Sequence, residues 1–175
     1  MIIRKLIALP AVIAFGLVLM PGAAQAQEKS IKEQLVGTWT LASWVQTRPD
    51  GSKFDRFGAN PKGVNVFTAD GRFFLMFARG DLPKISSNNP MEPTPDEAKA
   101  IVTGAIAYFG TYTVDEPTKT VTVRIDSSTL PNQLGMEHKR TITALTNDEL
   151  RYTNANPVNG GKIEAGFRRA TPATN

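Results

Sequence analysis

The connections between the extended segments of this chain alternate long and short, and that alternation constrains the fold more than any single residue does. Eight runs show period-two alternation bounded by turn residues: 37–47, 62–68, 72–79, 108–115, 119–127, 137–145, 149–154 and 161–170. The first and second are joined by "RPDGSKFDRFGANP", the second and third by "ADG" alone. A long stretch follows, then "EPT", "SSTLPNQLGM", "TND" and "ANPVNG" in turn. In an up-and-down antiparallel sheet, successive connections lie at opposite ends, so the tight hairpins gather at one end and the long loops at the other. The expected fold is all-β, an eight-stranded up-and-down antiparallel barrel with a tight bottom and an elaborated mouth. Such a barrel is filled by side chains or holds one small ligand. Loops on a rigid scaffold carry function, so the mouth is where chemistry is expected.

One helix interrupts the pattern, between strands three and four, in "TPDEAKAIVTGAIAYF". Thr94 suits the N-cap, Pro95 the first helical position, and Glu97 closes a capping box. Ala98, Ile101, Val102, Ala105 and Ile106 share one face, which predicts a helix laid against the sheet.

The amino terminus reads as a secretory signal peptide over 1–26. Arg4 and Lys5 precede an apolar run from Leu6 to Met20, and the small-residue sequence "AAQA" ends at Ala26. That run, interrupted by Pro10, is shorter than the ~20 residues a spanning helix needs. The expectation is cleavage before Gln27, a periplasmic or secreted location and no stable membrane span. A lead-in over 27–34, one barrel domain over 35–170 and a tail over 171–175 complete the division. The chain has no cysteine, so no disulfide holds it and the core must. Without Arg4 and Lys5 the formal charge falls from +4 to +2. Lys and Arg are scattered, with no basic stripe interleaved with aromatics, so no nucleic-acid partner is expected.

The segments "LVGTWTLASW", "RPDGSKFDRFGANPKGVNVFTADGRFFLMFARGDLPK", "AYFGTYTVDE" and "GFRRA" together resemble the bacterial lipocalin-like domain family, a calycin-type barrel, over 35–170. The resemblance implies that Trp39 closes the barrel floor and that an arginine of the last strand packs over its ring. Arg169 is the first choice for that partner and Arg168 the reserve, while Gly37 lets the chain enter close to the base. Unlike typical lipocalins, this chain carries its helix inside the barrel sequence rather than after the last strand. Fold alone does not specify a ligand.

Alternation places Trp39, Leu41, Ser43 and Val45 on one face. Phe73, Leu75, Phe77 and Arg79 share one face of the third strand and Arg72, Phe74, Met76 and Ala78 the other; both are rich in apolar residues, and the Phe73 set is favoured as inward because it is uninterrupted up to Arg79. There Arg79 would cap an apolar pocket with a permanent charge suited to a carboxylate or phenolate; the alternative is a surface pair with Asp81. Tyr108 and Tyr112 share a face, and Tyr152 faces with Leu150 and Asn154, so a polar inner ring is possible. His138, the only histidine, shares its face with Arg140 and Ile142 beside the "SSTLPNQLGM" loop. With no cysteine and no second histidine, neither a metal site nor a cofactor is expected. Phe54 and Phe57 are apolar in a long loop and fit either a lid over the mouth or a short extra hairpin at the rim.

These observations favour a monomeric protein that binds a small, mostly apolar ligand, with an anionic group as an option, through Phe57, Phe73, Leu75, Phe77, Arg79, Tyr108, Tyr112, Arg140 and Tyr152. The alternative is a cofactor-independent isomerase, cyclase or lyase using His138, Arg79 and Tyr108. A barrel packed solid would exclude both.

Overall fold

The computed structural model describes residues 28–158 and 160–171, so the proposed signal segment and the last four residues lie outside the described residues. Nine strands run β1 (Gly37–Thr47), β2 (Lys53–Phe54), β3 (Lys62–Phe67), β4 (Arg72–Ala78), β5 (Ala105–Asp115), β6 (Thr120–Ser128), β7 (Glu137–Leu145), β8 (Glu149–Asn154) and β9 (Lys162–Arg169). Every pairing is antiparallel. The order is β2-β1-β3-β4-β5-β6-β7-β8-β9, and β1 also pairs with β9, which closes eight strands into a barrel. The ninth, β2, is a two-residue strand beside the upper end of β1, with Gln46 opposite Phe54.

The helices differ from the sequence expectation in number and setting. There are two α-helices among the described residues, besides a 3-10 turn at Pro131–Gln133: α1 (Ile31–Leu35) before the first strand, at the end of the segment read as a lead-in, and α2 (Pro95–Gly104) before β5. Because β2 precedes it, α2 sits between the fourth and fifth strands in chain order rather than the third and fourth. Five residues are too few for an independent helix. Ser30 and Glu33 form a capping box, and the Glu116 carboxylate, from the β5–β6 turn, accepts the Ile31 and Lys32 backbone N–H groups at 2.8 and 3.1 Å. An anion at the helix N-terminus and the burial of Leu35 hold α1 across the barrel base. In α2, Thr94 and Glu97 form the expected capping box with Pro95 in the first turn.

The inward faces supply the core: Trp39 and Leu41 from β1, Phe67 from β3, Phe73, Leu75 and Phe77 from β4, Val121, Val123 and Ile125 from β6, Phe167 from β9. A β-bulge breaks the alternation of β1. Leu41 opposes Phe167 and Ser43 opposes Gly166, leaving Ala42 as the extra residue. One added residue exchanges the two faces of a strand. Trp39 and Leu41 therefore point inward below the bulge, whereas Gln46 is buried and Trp44 half-buried above it. Ser43 and Val45 do not continue the Trp39 face.

Arg169 lies over Trp39 at 4.1 Å from guanidinium carbon to ring centroid, while the indole N–H donates to the Leu35 carbonyl at 2.8 Å. The same guanidinium donates to the carbonyls of Gln34 (2.8 Å), Val36 (3.0 Å) and Asn147. Gly37 makes this approach possible: a Cβ there would stand 2.9 Å from Arg169 Nη1, and its φ of +130° is one that L side chains rarely adopt. The base is sealed by residues from both ends of the domain.

Candidate functional site: a cavity at the barrel mouth

The opposite end is open. A cavity of about 420 Å³ lies there, near the lower end of the ~300–1,000 Å³ range of small-molecule sites. All four long connections reach it: Phe54, Arg56 and Phe57 from the first, Val102 and Thr103 from α2, Leu130 and Gln133 from the third, Pro157 and Val158 from the fourth. The strand ends add Trp44 and Gln46, Phe77, Ile106 and Tyr108, His138 and Arg140, Tyr152 and Asn154, and Ile163. The interior is thus not packed solid.

Phe57 anchors the first loop. It is 2% exposed and meets Trp44 and Phe77 edge-on at centroid distances of 5.4 and 5.7 Å. An apolar side chain buried this way turns a surface connection into a wall of the cavity. Asp55 accepts the Phe57 and Gly58 backbone N–H groups at 3.0 and 2.9 Å, which sets the turn that aims Phe57 inward. Phe54 falls on the β2 rim strand, 39% exposed, so the two phenylalanines divide between wall and rim.

Arg56 fastens this loop to α2. Its guanidinium donates to the carbonyls of Thr103 (2.9 Å), Ala105 (3.0 Å) and Val102 (3.3 Å), which are groups that a helix end leaves without intrahelical partners. A cation here also suits the helix dipole, although burial pulls its pKa down. Gln46 ties the fourth loop in the same manner, its amide donating to the Gly160 carbonyl at 2.7 Å.

At the floor of the cavity stands Arg140. Strand β7 descends from the third long loop, so His138, Arg140 and Ile142 come in that order from the mouth downward. Arg140 is 3% exposed. Its Nη2 donates to the Tyr108 hydroxyl at 2.7 Å, and its guanidinium lies 5.0 Å from the Tyr152 ring centroid and 5.8 Å from that of Phe73. Its Nη1 is buried with no hydrogen-bond partner among the described residues. Asn65 is the other buried side chain in that condition, but it is neutral and not part of the lining. Burial pushes the Tyr152 phenol up to about 12, so at neutral pH it offers the guanidinium no negative charge. His138 is 7% exposed; burial first, and Arg140 second, pull its pKa below the ordinary histidine value. It is a wall residue, not an exposed strand end.

Of the residues singled out from sequence, the cavity brings together Phe57, Phe77, Tyr108, His138, Arg140 and Tyr152. Phe73 lies under Arg140 and meets Tyr108 edge-on at 5.8 Å, while Leu75 is fully buried; neither lines the cavity. Two residues stand elsewhere. Arg79 follows the end of β4 and pairs with Asp81 at 2.7 Å, their side chains 47% and 69% exposed, because the strand stops at Ala78 before the face can carry it inward. The combination of His138, Arg79 and Tyr108 expected of an enzyme is therefore not assembled. Tyr112 lies at the closed end, donating to the Thr68 carbonyl at 2.8 Å and packing on Phe67, because β5 descends from the mouth and Tyr112 comes last. Sequence reasoning missed Trp44, Gln46 and Arg56. The first two are turned inward by the bulge, and Arg56 carries no signal until α2 is placed beside it.

The profile of the lipocalin-like domain matches residues 36–172, almost all of the described chain. The chain belongs to the lipocalin-like domain family. Among solved structures, this lipocalin-like chain is similar to a crystal structure of a lipocalin-like protein from Bacteroides uniformis, at 15% identity and a TM-score of 0.41, covering 78% of this chain and 99% of that one. An NMR structure of a protein from Bacteroides uniformis has 15% identity and a TM-score of 0.44 over 82% and 94% of the two chains. A redesigned β-barrel solved with DFHBI bound has 16% identity and a TM-score of 0.41 over 81% and 100%. No curated protein matches the lipocalin-like chain.

Proposed function

We propose that this lipocalin-like protein is an extracytoplasmic, monomeric binder of a small, mostly apolar ligand held in the mouth cavity. The cavity carries the reading: about 420 Å³, walled by Trp44, Phe57, Phe77, Ile106 and Tyr152 and rimmed by all four long loops. Apolar walls with a few placed polar groups are the usual composition of small-molecule sites. Closure of β1 on β9 leaves, among the described residues, only the two-residue β2 as a free edge, which favours a monomer. The location rests on the basic, apolar and small-residue succession of the first 26 residues.

Native mass spectrometry of the protein purified from its own host tests the binding. The expected result is a co-purifying small molecule that is lost from an Ile106→Trp variant of unchanged fold. Protein without adducts, showing no thermal shift with any apolar probe, would overturn the reading. Amino-terminal sequencing of the secreted or periplasmic fraction should begin at Gln27.

A further inference from the structure

The lining of the cavity carries charge of one sign only. It holds Arg56 and Arg140, with His138 beside them, and neither an aspartate nor a glutamate. The three ion pairs among the described residues, Arg79–Asp81, Arg151–Glu149 and Lys162–Glu164, all lie elsewhere. Arg56 spends its donors on α2 carbonyls, but Arg140 does not: one arm meets the Tyr108 oxygen and Nη1 meets nothing. A guanidinium is always protonated and carries five donors. Burying it without a countercharge is costly, and natural structures accept that cost where an anion completes the site.

From this we infer that the ligand carries a single oxyanionic group, seated at the floor of the cavity on Arg140 Nη1, with its apolar body pointing to the mouth. The inference rests on the cavity being a ligand site. A carboxylate, phenolate or sulfonate offers the lone pairs that Nη1 lacks and supplies the missing negative charge. Orientation follows from the position of Arg140 below His138, and from the apolar rim of Phe54, Val102 and Val158 above, each 39% to 59% exposed. The phenyl and phenol rings of Phe73, Tyr108 and Tyr152 surround the guanidinium and keep water from replacing the anion.

Two fluorescent probes of one ring system separate charge from apolar fit: 1-anilinonaphthalene-8-sulfonate, an oxyanion, and N-phenyl-1-naphthylamine, which is uncharged. Wild-type protein should bind the sulfonate at least tenfold more tightly than the amine, and Arg140→Met should abolish that preference. Tyr108→Phe, which leaves the guanidinium in place, should retain it. Equal affinity of the wild type for both probes would overturn the oxyanion site while leaving the cavity as a binding site. Binding of neither probe would overturn both readings. The wild-type comparison decides the matter even if Arg140→Met fails to fold.

Discussion

Arg169 closes over Trp39 at 4.1 Å and, with the same guanidinium, holds the Gln34 and Val36 carbonyls at the entry to β1. One side chain therefore joins the last strand, the first strand and α1. Removing the ring opens a cavity in the base, so Trp39→Ala should cost about 3–5 kcal/mol. Gly37→Ala should destabilise as well, because the new Cβ would stand 2.9 Å from Arg169 Nη1 at an unfavourable φ. Chemical denaturation measures both. Midpoints within error of wild type would remove these residues from the structural role.

Arg140 should behave in the opposite sense. Arg140→Met forfeits the bond to Tyr108, a loss of about 1.5–3 kcal/mol for a charged donor. It also relieves a buried cation with no countercharge, whose penalty is several kcal/mol. The penalty is larger, so the ligand-free variant is expected to melt at or above the wild-type temperature. A melt several degrees lower would mean that the charge is already compensated within the chain.

His138 gives the fold a pH dependence. Its folded pKa lies below its unfolded one, so acidification protonates the unfolded chain first. Stability from this group is complete above about pH 6.5 and declines as pH falls through the depressed folded value. The exposed carboxylates of Glu33, Asp50, Asp70, Asp81 and Glu97 have lowered pKa values and act only at more acidic pH, below about 4.3. Thermal melts from pH 7.5 to 5 should show the decline, and His138→Gln should flatten it. An unaltered slope in that variant would assign the dependence to other groups.

The Arg56 contacts predict a local effect. Arg56→Ala removes three bonds to the end of α2 and should ease local opening of α2 and the 53–58 loop by about 1–2 kcal/mol. Amide hydrogen exchange in those segments should accelerate about tenfold, with the exchange of β6 and β9 unchanged. Uniform acceleration across the barrel would indicate global destabilisation instead.

Arg79→Ala is expected to be silent. The side chain pairs with exposed Asp81 outside the cavity, where ion pairs contribute little. Probe affinity and melting temperature should both match wild type; a weakened sulfonate affinity would bring Arg79 back to the site.

The barrel was readable because connection length and period-two alternation are properties of the chain itself, fixed by turn chemistry and the pleat. Alternation in β4 separated Phe73, Leu75 and Phe77 from Phe74 and Met76, but both faces are apolar, and burial of the first set is decided by closure of the barrel. Two other kinds of information were not readable in the sequence. Strand ends are decided by tertiary pairing, and so Arg79 was extrapolated one position too far. Helix α1 carries a capping box in "SIKE", but with five residues it depends on Glu116 from a distant turn, which no local pattern contains. His138 and Arg140 could be placed on a common face, whereas the loneliness of Arg140 Nη1 depends on every strand around it.

The extra residue at Ala42 has a consequence for how such a protein can change. Below it, β1 is committed to the plug formed by Trp39; above it, the same strand presents Trp44 and Gln46 to whatever occupies the mouth. The dislocation lets the two halves keep separate phases, so the upper positions can be exchanged for a different guest without retuning the base. One strand thus carries two independently editable surfaces, and deleting Ala42 would couple them again by rotating the guest-facing pair out of the barrel.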